Sequence, residues 1–121
     1  MNRALGLLAI SLLVMSSTAA QAVGILPGEI EDFGSPCSLS LSQNGSVRTL
    51  SWSSVAGASA YKVGYRLGGS IVTLAEVSGT SYQHIGWSSS DCLEYLLVAC
   101  DGGGGKVCAG HLPNVGTNCP E

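Results

Sequence analysis

Basic residues are scarce in this chain. Lysine and arginine together number five in 121 residues, and the formal net charge is −3. Arg3, Arg48, Lys62, Arg66 and Lys106 are scattered, so no basic stripe exists to neutralise phosphates. Nucleic-acid binding is excluded on that ground, and adsorption to an anionic membrane is disfavoured. Long apolar runs are also missing. The longest, Ala4 to Met15, has twelve residues, whereas a spanning helix needs about 20. Closely paired metal ligands of the C-x₂-C kind are absent, and His84 and His111 form no matching pair, which argues against structural zinc. The patterns of zinc proteases, serine-nucleophile elbows and dinucleotide sites do not occur. Gly105-Lys106 lacks a phosphate loop's other residues: Cys100 stands where the first glycine is needed, and Val107 where Ser or Thr is needed. No cofactor is implied. Each histidine could serve as a general base beside a serine, but serines are so common here that ordinary hydrogen-bonded roles are the better reading.

What is present begins with an export signal. Arg3 precedes the apolar run, and the small, polar stretch Ser16 to Ala22 follows it. This is the order a signal peptidase reads. Cleavage fits after Ala20 or after Ala22, and the Ala20-Gln21-Ala22 form favours release of a chain beginning at Val23. The product is expected to be secreted or periplasmic, with no membrane insertion. Residues 23–35 carry Gly24, Pro27, Gly28 and Gly34 among the acids Glu29, Glu31 and Asp32, and read as a short, solvated, flexible leader.

From Pro36 onward, short apolar-alternating runs are separated by turn residues every eight to twelve positions. That spacing argues for an all-β sandwich or barrel. Strands are expected at 37–42, around Leu50 and Trp52, over 61–67, 71–77 and 80–85, from Cys92 to Cys100, and over 106–112. Asn44-Gly45 marks a hairpin; it also opens the N-glycosylation sequon Asn44-Gly45-Ser46, which the turn explains fully. The Cys92 to Cys100 run is apolar on both faces except at Glu94, the pattern of a central strand. Asp101 to Gly105 reads as a flexible loop. Seven strands in so short a span suggest a seven-stranded, immunoglobulin-like β-sandwich.

Four stretches resemble the fibronectin type III family: Leu50-Ser51-Trp52-Ser53, Gly57 through Arg66, Gly79-Thr80-Ser81-Tyr82 with Gly86-Trp87, and Leu93 through Asp101. The resemblance covers about 36–112, leaving 113–121 as a C-terminal tail, and the Ala99-Cys100-Asp101 ending is similar to bacterial members. Departures are clear. Leu93 stands where the family has its corner tyrosine, Trp87 where leucine is usual, His84 on an inward aliphatic row, and Arg48 at an inward valine position, where Val47 could substitute through a bulge.

On that sandwich scaffold the cysteines acquire an expected pairing. In an oxidising compartment disulfides are the default. Cys100 and Cys108, on neighbouring strands and both outward, are expected to bond, as are Cys92 and Cys119 at one pole. Cys37 is left over, as a partly buried free thiol or an intermolecular bridge giving a homodimer. The outward row Leu96 and Val98, flanked by Lys62, Arg66 and Leu112, forms a flat apolar face with a basic side. It is either a binding face or a surface covered by the leader or the tail. The resemblance implies a non-catalytic binding module whose partner is a protein or glycan. A structural, envelope-associated protein that self-associates through Cys37 is the alternative.

Overall fold

The computed structural model describes residues 24–30 and 36–119. The expected signal peptide and its cleavage sites lie outside the described residues. The described residues form seven strands: β1 (Ser40–Asn44), β2 (Val47–Ser51), β3 (Ala60–Leu67), β4 (Ser70–Val77), β5 (Ser81–Ile85), β6 (Leu93–Cys100) and β7 (Lys106–Val115). They make two antiparallel sheets, one of three strands in the order β1-β2-β5 and one of four in the order β4-β3-β6-β7. The architecture is an all-β, two-sheet sandwich. Two hairpins close on glycine. Asn44 pairs with Val47 around Gly45-Ser46, and Leu67 pairs with Ser70 around Gly68-Gly69. Gly45 and Gly68 both adopt φ of +62°, a left-handed geometry that glycine enters without steric penalty.

The inner faces meet in a core of Leu50, Trp52, Tyr61, Val63, Leu93, Tyr95, Leu97 and Ala99. Burying each large aliphatic side chain contributes roughly 1.5–3 kcal/mol. The Trp52 and Tyr61 rings lie 5.5 Å apart, and the Tyr61 hydroxyl accepts a hydrogen bond from the Val55 N–H at 3.0 Å. The alternation read from the third and sixth strands therefore holds: odd residues from Tyr61 to Tyr65 and from Leu93 to Ala99 face inward.

The seventh strand has the opposite phase to the one expected, and this overturns two assignments. Residues directly opposite each other in a ladder share a face. Ala99 pairs with Cys108, Leu97 with Gly110, and Tyr95 with Leu112, so Cys108, Gly110 and Leu112 point inward. Leu112 accordingly packs against the inner core and is not part of an outer face. Cys108 cannot reach Cys100, which lies on the opposite side of the sheet. It bonds instead to Cys37, with Cα atoms 5.5 Å apart. Cys37 is thus neither a free thiol nor a dimerisation bridge, and Cys100 is the buried free cysteine. The register shift between Ala99 and Cys100 skips Val107, a bulge invisible to simple alternation. Cys92–Cys119 forms as expected, with Cα atoms 4.8 Å apart.

The first strand begins later than expected because residues 36 and 37 serve β7 instead. Pro36 bridges to Ala109 in parallel, and the Cys37 N–H donates to the Ala109 carbonyl at 3.1 Å. Gly110 leaves the room for that crossing, since a Cβ there would strike the Cys37 carbonyl. The glycine loop after β6 is tied down by its own acid: Asp101 Oδ1 accepts from the Gly103 and Gly105 N–H groups, each at 2.9 Å.

Candidate functional site

The outer face of the four-stranded sheet divides into a covered half and an open half. Leu96, Val98, Cys100 and Ala109 point outward, yet each is buried. The described part of the leader covers them. Ile25 and Ile30, 6% and 2% exposed, pack onto this row together with Ile71, so residues 24–30 are a strap and not a solvated leader. A 3₁₀ turn at Pro27–Glu29 bends the strap. The Ile25 N–H donates to Thr73 Oγ1 at 2.9 Å. Lys62 Nζ donates to the Gly24 carbonyl at 3.1 Å and pairs with Glu29 at 3.1 Å. Gly64 gives the strap its seat, since a Cβ there would crowd Ile25 and strike the Val72 carbonyl. The expected binding face at Lys62, Leu96 and Val98 is therefore an internal surface. Of the residues assigned to it, Arg66 alone lies at the open end.

There Arg66 (β3), Glu94 (β6) and His111 (β7) form a cluster across three neighbouring strands. Arg66 Nε donates to Glu94 Oε1 at 2.8 Å, and His111 Nδ1 lies 2.7 Å from Glu94 Oε2. Burial pushes the Glu94 carboxyl up, but the hydrogen bonds and charges of Arg66 and His111 outweigh it, and the net shift is downward. The ladder pairing of Arg66 with Glu94 is the signal that alternation alone did not supply. Beside the cluster opens a cleft of about 510 Å³, lined by Arg66, Asp91, Glu94, Pro113, Asn114 and Asn118 among others. Its wall is clamped by Cys92–Cys119 and by Thr117, whose N–H and hydroxyl both donate to the Ser89 carbonyl at 2.8 and 2.7 Å. Charged groups of both signs and amide side chains line it together with Leu67 and Leu93.

A second polar group is sealed between the sheets at the same pole. Arg48 itself points inward, only 2% exposed, because β1, β2 and β5 pair without a bulge; Val47 does not replace it. Arg48 donates to Gln43 Oε1 at 3.2 Å and to the Tyr95 hydroxyl at 3.1 Å. Its guanidinium lies 3.7 Å over the Trp87 ring, a favourable cation–π geometry. His84 Nδ1 is 2.7 Å from the same Tyr95 hydroxyl, and its ring stacks on Tyr65. Burial and then the Arg48 charge hold the His84 pKa below its ordinary value of 6.5, while burial raises that of Tyr95 against the Arg48 hydrogen bond. The departures noted at Arg48, His84 and Trp87 are thus one interaction network. It is closed to substrate, since Arg48, His84 and Tyr95 are all buried.

Among the described residues no group of three or more His, Cys, Asp or Glu side chains could hold a metal ion, and no helix is long and apolar enough to cross a membrane. No family model matches the chain, and no curated protein matches it. Among solved structures the chain is similar to a pectate lyase, PelI from Erwinia chrysanthemi in complex with tetragalacturonic acid. The identity is 14% and the TM-score 0.56, over 64% of this chain and 28% of that one. The likeness shows the fold alone, and this chain spans under a third of that enzyme's length.

Proposed function

We propose that the protein is an exported, non-catalytic binding module of fibronectin type III kind, which contacts a protein or glycan at the open end of its four-stranded sheet. The observation that carries this reading is the cleft beside Arg66, Glu94 and His111. It brings guanidinium, carboxylate and amide groups together with Leu67 and Leu93, a donor and acceptor mixture suited to peptide or sugar recognition. The three-plus-four strand order supports the family, and two disulfides support an oxidising, extracytoplasmic location. The similar pectate lyase is an enzyme, but only about a quarter of it is matched, which fits a supporting module as well as a catalytic one. His84 is sealed in the core, and His111 pairs through Nδ1 with Glu94.

The test is to screen the purified exported protein against a glycan array and against co-exported proteins by cross-linking, then to repeat any binding with Arg66→Ala and Asn118→Ala. Loss of binding by about tenfold, roughly 1.4 kcal/mol, is the expected result. Binding unchanged by both substitutions rejects the cleft as the site. N-terminal sequencing of the exported chain is expected to begin at Val23; recovery with Met1 retained rejects export by signal cleavage.

A further inference from the structure

We infer that residues 24–30 form a releasable latch, held by the Lys62–Glu29 clasp, whose opening uncovers Cys100 and the apolar row of Leu96, Val98 and Ala109 without unfolding the sandwich. The strap adds no strand to the sheet beneath it. Its own turn is closed internally, by Glu29 N–H to the Leu26 carbonyl at 2.9 Å and Ile30 N–H to the Pro27 carbonyl at 3.2 Å. Its polar ties to the sheet are the Ile25 bond to Thr73 and the Lys62 contacts with Gly24 and Glu29. Its apolar contribution is the burial of Ile25 and Ile30. The sheet below is paired through its own ladders, β4 to β3, β3 to β6 and β6 to β7, none of which uses a strap residue. Both disulfides likewise join residues outside the strap. A segment tied so lightly onto an independently paired sheet is the kind of unit that opens locally.

The clasp concentrates the control in one carboxylate. Glu29 Oε1 accepts from the Leu26 N–H at 2.8 Å, which shapes the turn, and both its oxygens take Lys62 Nζ. Both partners are largely buried, with side chains 9% and 13% exposed. Neutralising Glu29 therefore leaves the Lys62 ammonium without its counter-charge and loosens the turn at once, an effect stronger than loss of a surface pair. The cover is also incomplete on one side. A recess of about 450 Å³, lined by Leu26, Glu29, Lys62, Cys100 and the glycine loop, runs along the strap's edge. The free thiol sits at that edge, 3% exposed, with burial pushing its pKa up. Opening would hydrate the thiol and return it towards ordinary acidity, so its reactivity reports the latch directly.

The experiment is alkylation of Cys100 by iodoacetamide in the folded, disulfide-intact chain, followed by mass spectrometry over a range of urea concentrations below the unfolding transition. The expected result is slow labelling with a weaker urea dependence than global unfolding, because local opening exposes less surface. Glu29→Gln and, independently, Ile25→Ala are expected to speed labelling about tenfold, the change that 1.4 kcal/mol of lost docking gives. Circular dichroism should show the sandwich unchanged in both. Labelling that tracks global unfolding overturns the latch. So does immediate, complete labelling of the native chain, or labelling in both variants at the native rate.

Discussion

From Tyr95 to Cys100 the two faces of β6 are both buried but held in different ways. On the inner face, Leu93, Tyr95, Leu97 and Ala99 meet a second sheet that is itself paired strand to strand. The Cys37–Cys108 bridge packs at the margin of that same core. On the outer face, Leu96, Val98 and Cys100 meet a strap of seven described residues, tied by two isoleucines and one ion pair. Burial alone therefore says little about how firmly a residue is held. What matters is whether the cover is itself a strand-paired sheet, and only the inner face's cover is. Beyond the strap, the Arg66, Glu94 and His111 cluster is partly exposed, and it is the end at which we propose binding.

The largest expected effect comes from removing the bridge on the inner side. Cys37 and Cys108 are 71 residues apart, and Cys92 and Cys119 are 27 apart. In the chain-entropy account, opening these loops costs about 4 and about 3.5 kcal/mol respectively. Paired serine substitutions at 37 and 108 should lower the urea midpoint more than those at 92 and 119. The reverse order would mean that the polar clamp, and not the inner bridge, dominates. Next in size, Leu97→Ala should cost about 3 kcal/mol, as deletions in a close-packed core do. Ile30→Ala should cost at most about 2 kcal/mol, because undocking of the strap limits what can be lost. Equal losses in urea titrations would erase the distinction between the faces.

A smaller effect depends on pH and isolates the inner face. His84 has its folded pKa lowered by burial and by Arg48, so it stays neutral in the native state while the unfolded chain takes up a proton near pH 6.5. Its contribution is fully present above pH 6.5 and is lost as the pH falls from there towards the folded value. His84→Gln should flatten that part of the stability profile in thermal melts at pH 5 to 7; an unchanged slope would place the titration elsewhere. Smallest of all, Arg66→Ala should change stability by less than about 1 kcal/mol, since the pair with Glu94 is partly exposed.

The same contrast explains what could be read from the chain. Strand number and turn positions were legible because alternation and glycine placement act locally, as at Tyr61 to Leu67 and at Gly45. The outer cover was half legible. A sixth strand apolar on both faces requires something over Leu96 and Val98, and the leader was one of the two segments weighed for that role. The glycines, Pro27 and acids of that segment nevertheless read as solvent-loving, although Ile25 and Ile30 are its apolar anchors and Glu29 is bound by Lys62. Cys92–Cys119 was read correctly, while the expected Cys100–Cys108 bridge failed on one residue of phase. The bulge opposite Ala99 and Cys100 turns Cys108 inward, and a period-two count carries no sign of it. The Arg48, His84, Tyr95 and Trp87 network was visible only as separate departures, because its members come from three strands and a loop.

The placement of Cys108 on the inner face and Cys100 on the outer is the claim on which the rest depends. Peptide mapping under non-reducing conditions, after alkylation of the unfolded chain, tests it most directly. The account predicts Cys37 joined to Cys108, Cys92 joined to Cys119, and Cys100 recovered as the alkylated thiol. Recovery of Cys100 joined to Cys108, with Cys37 alkylated, would contradict it.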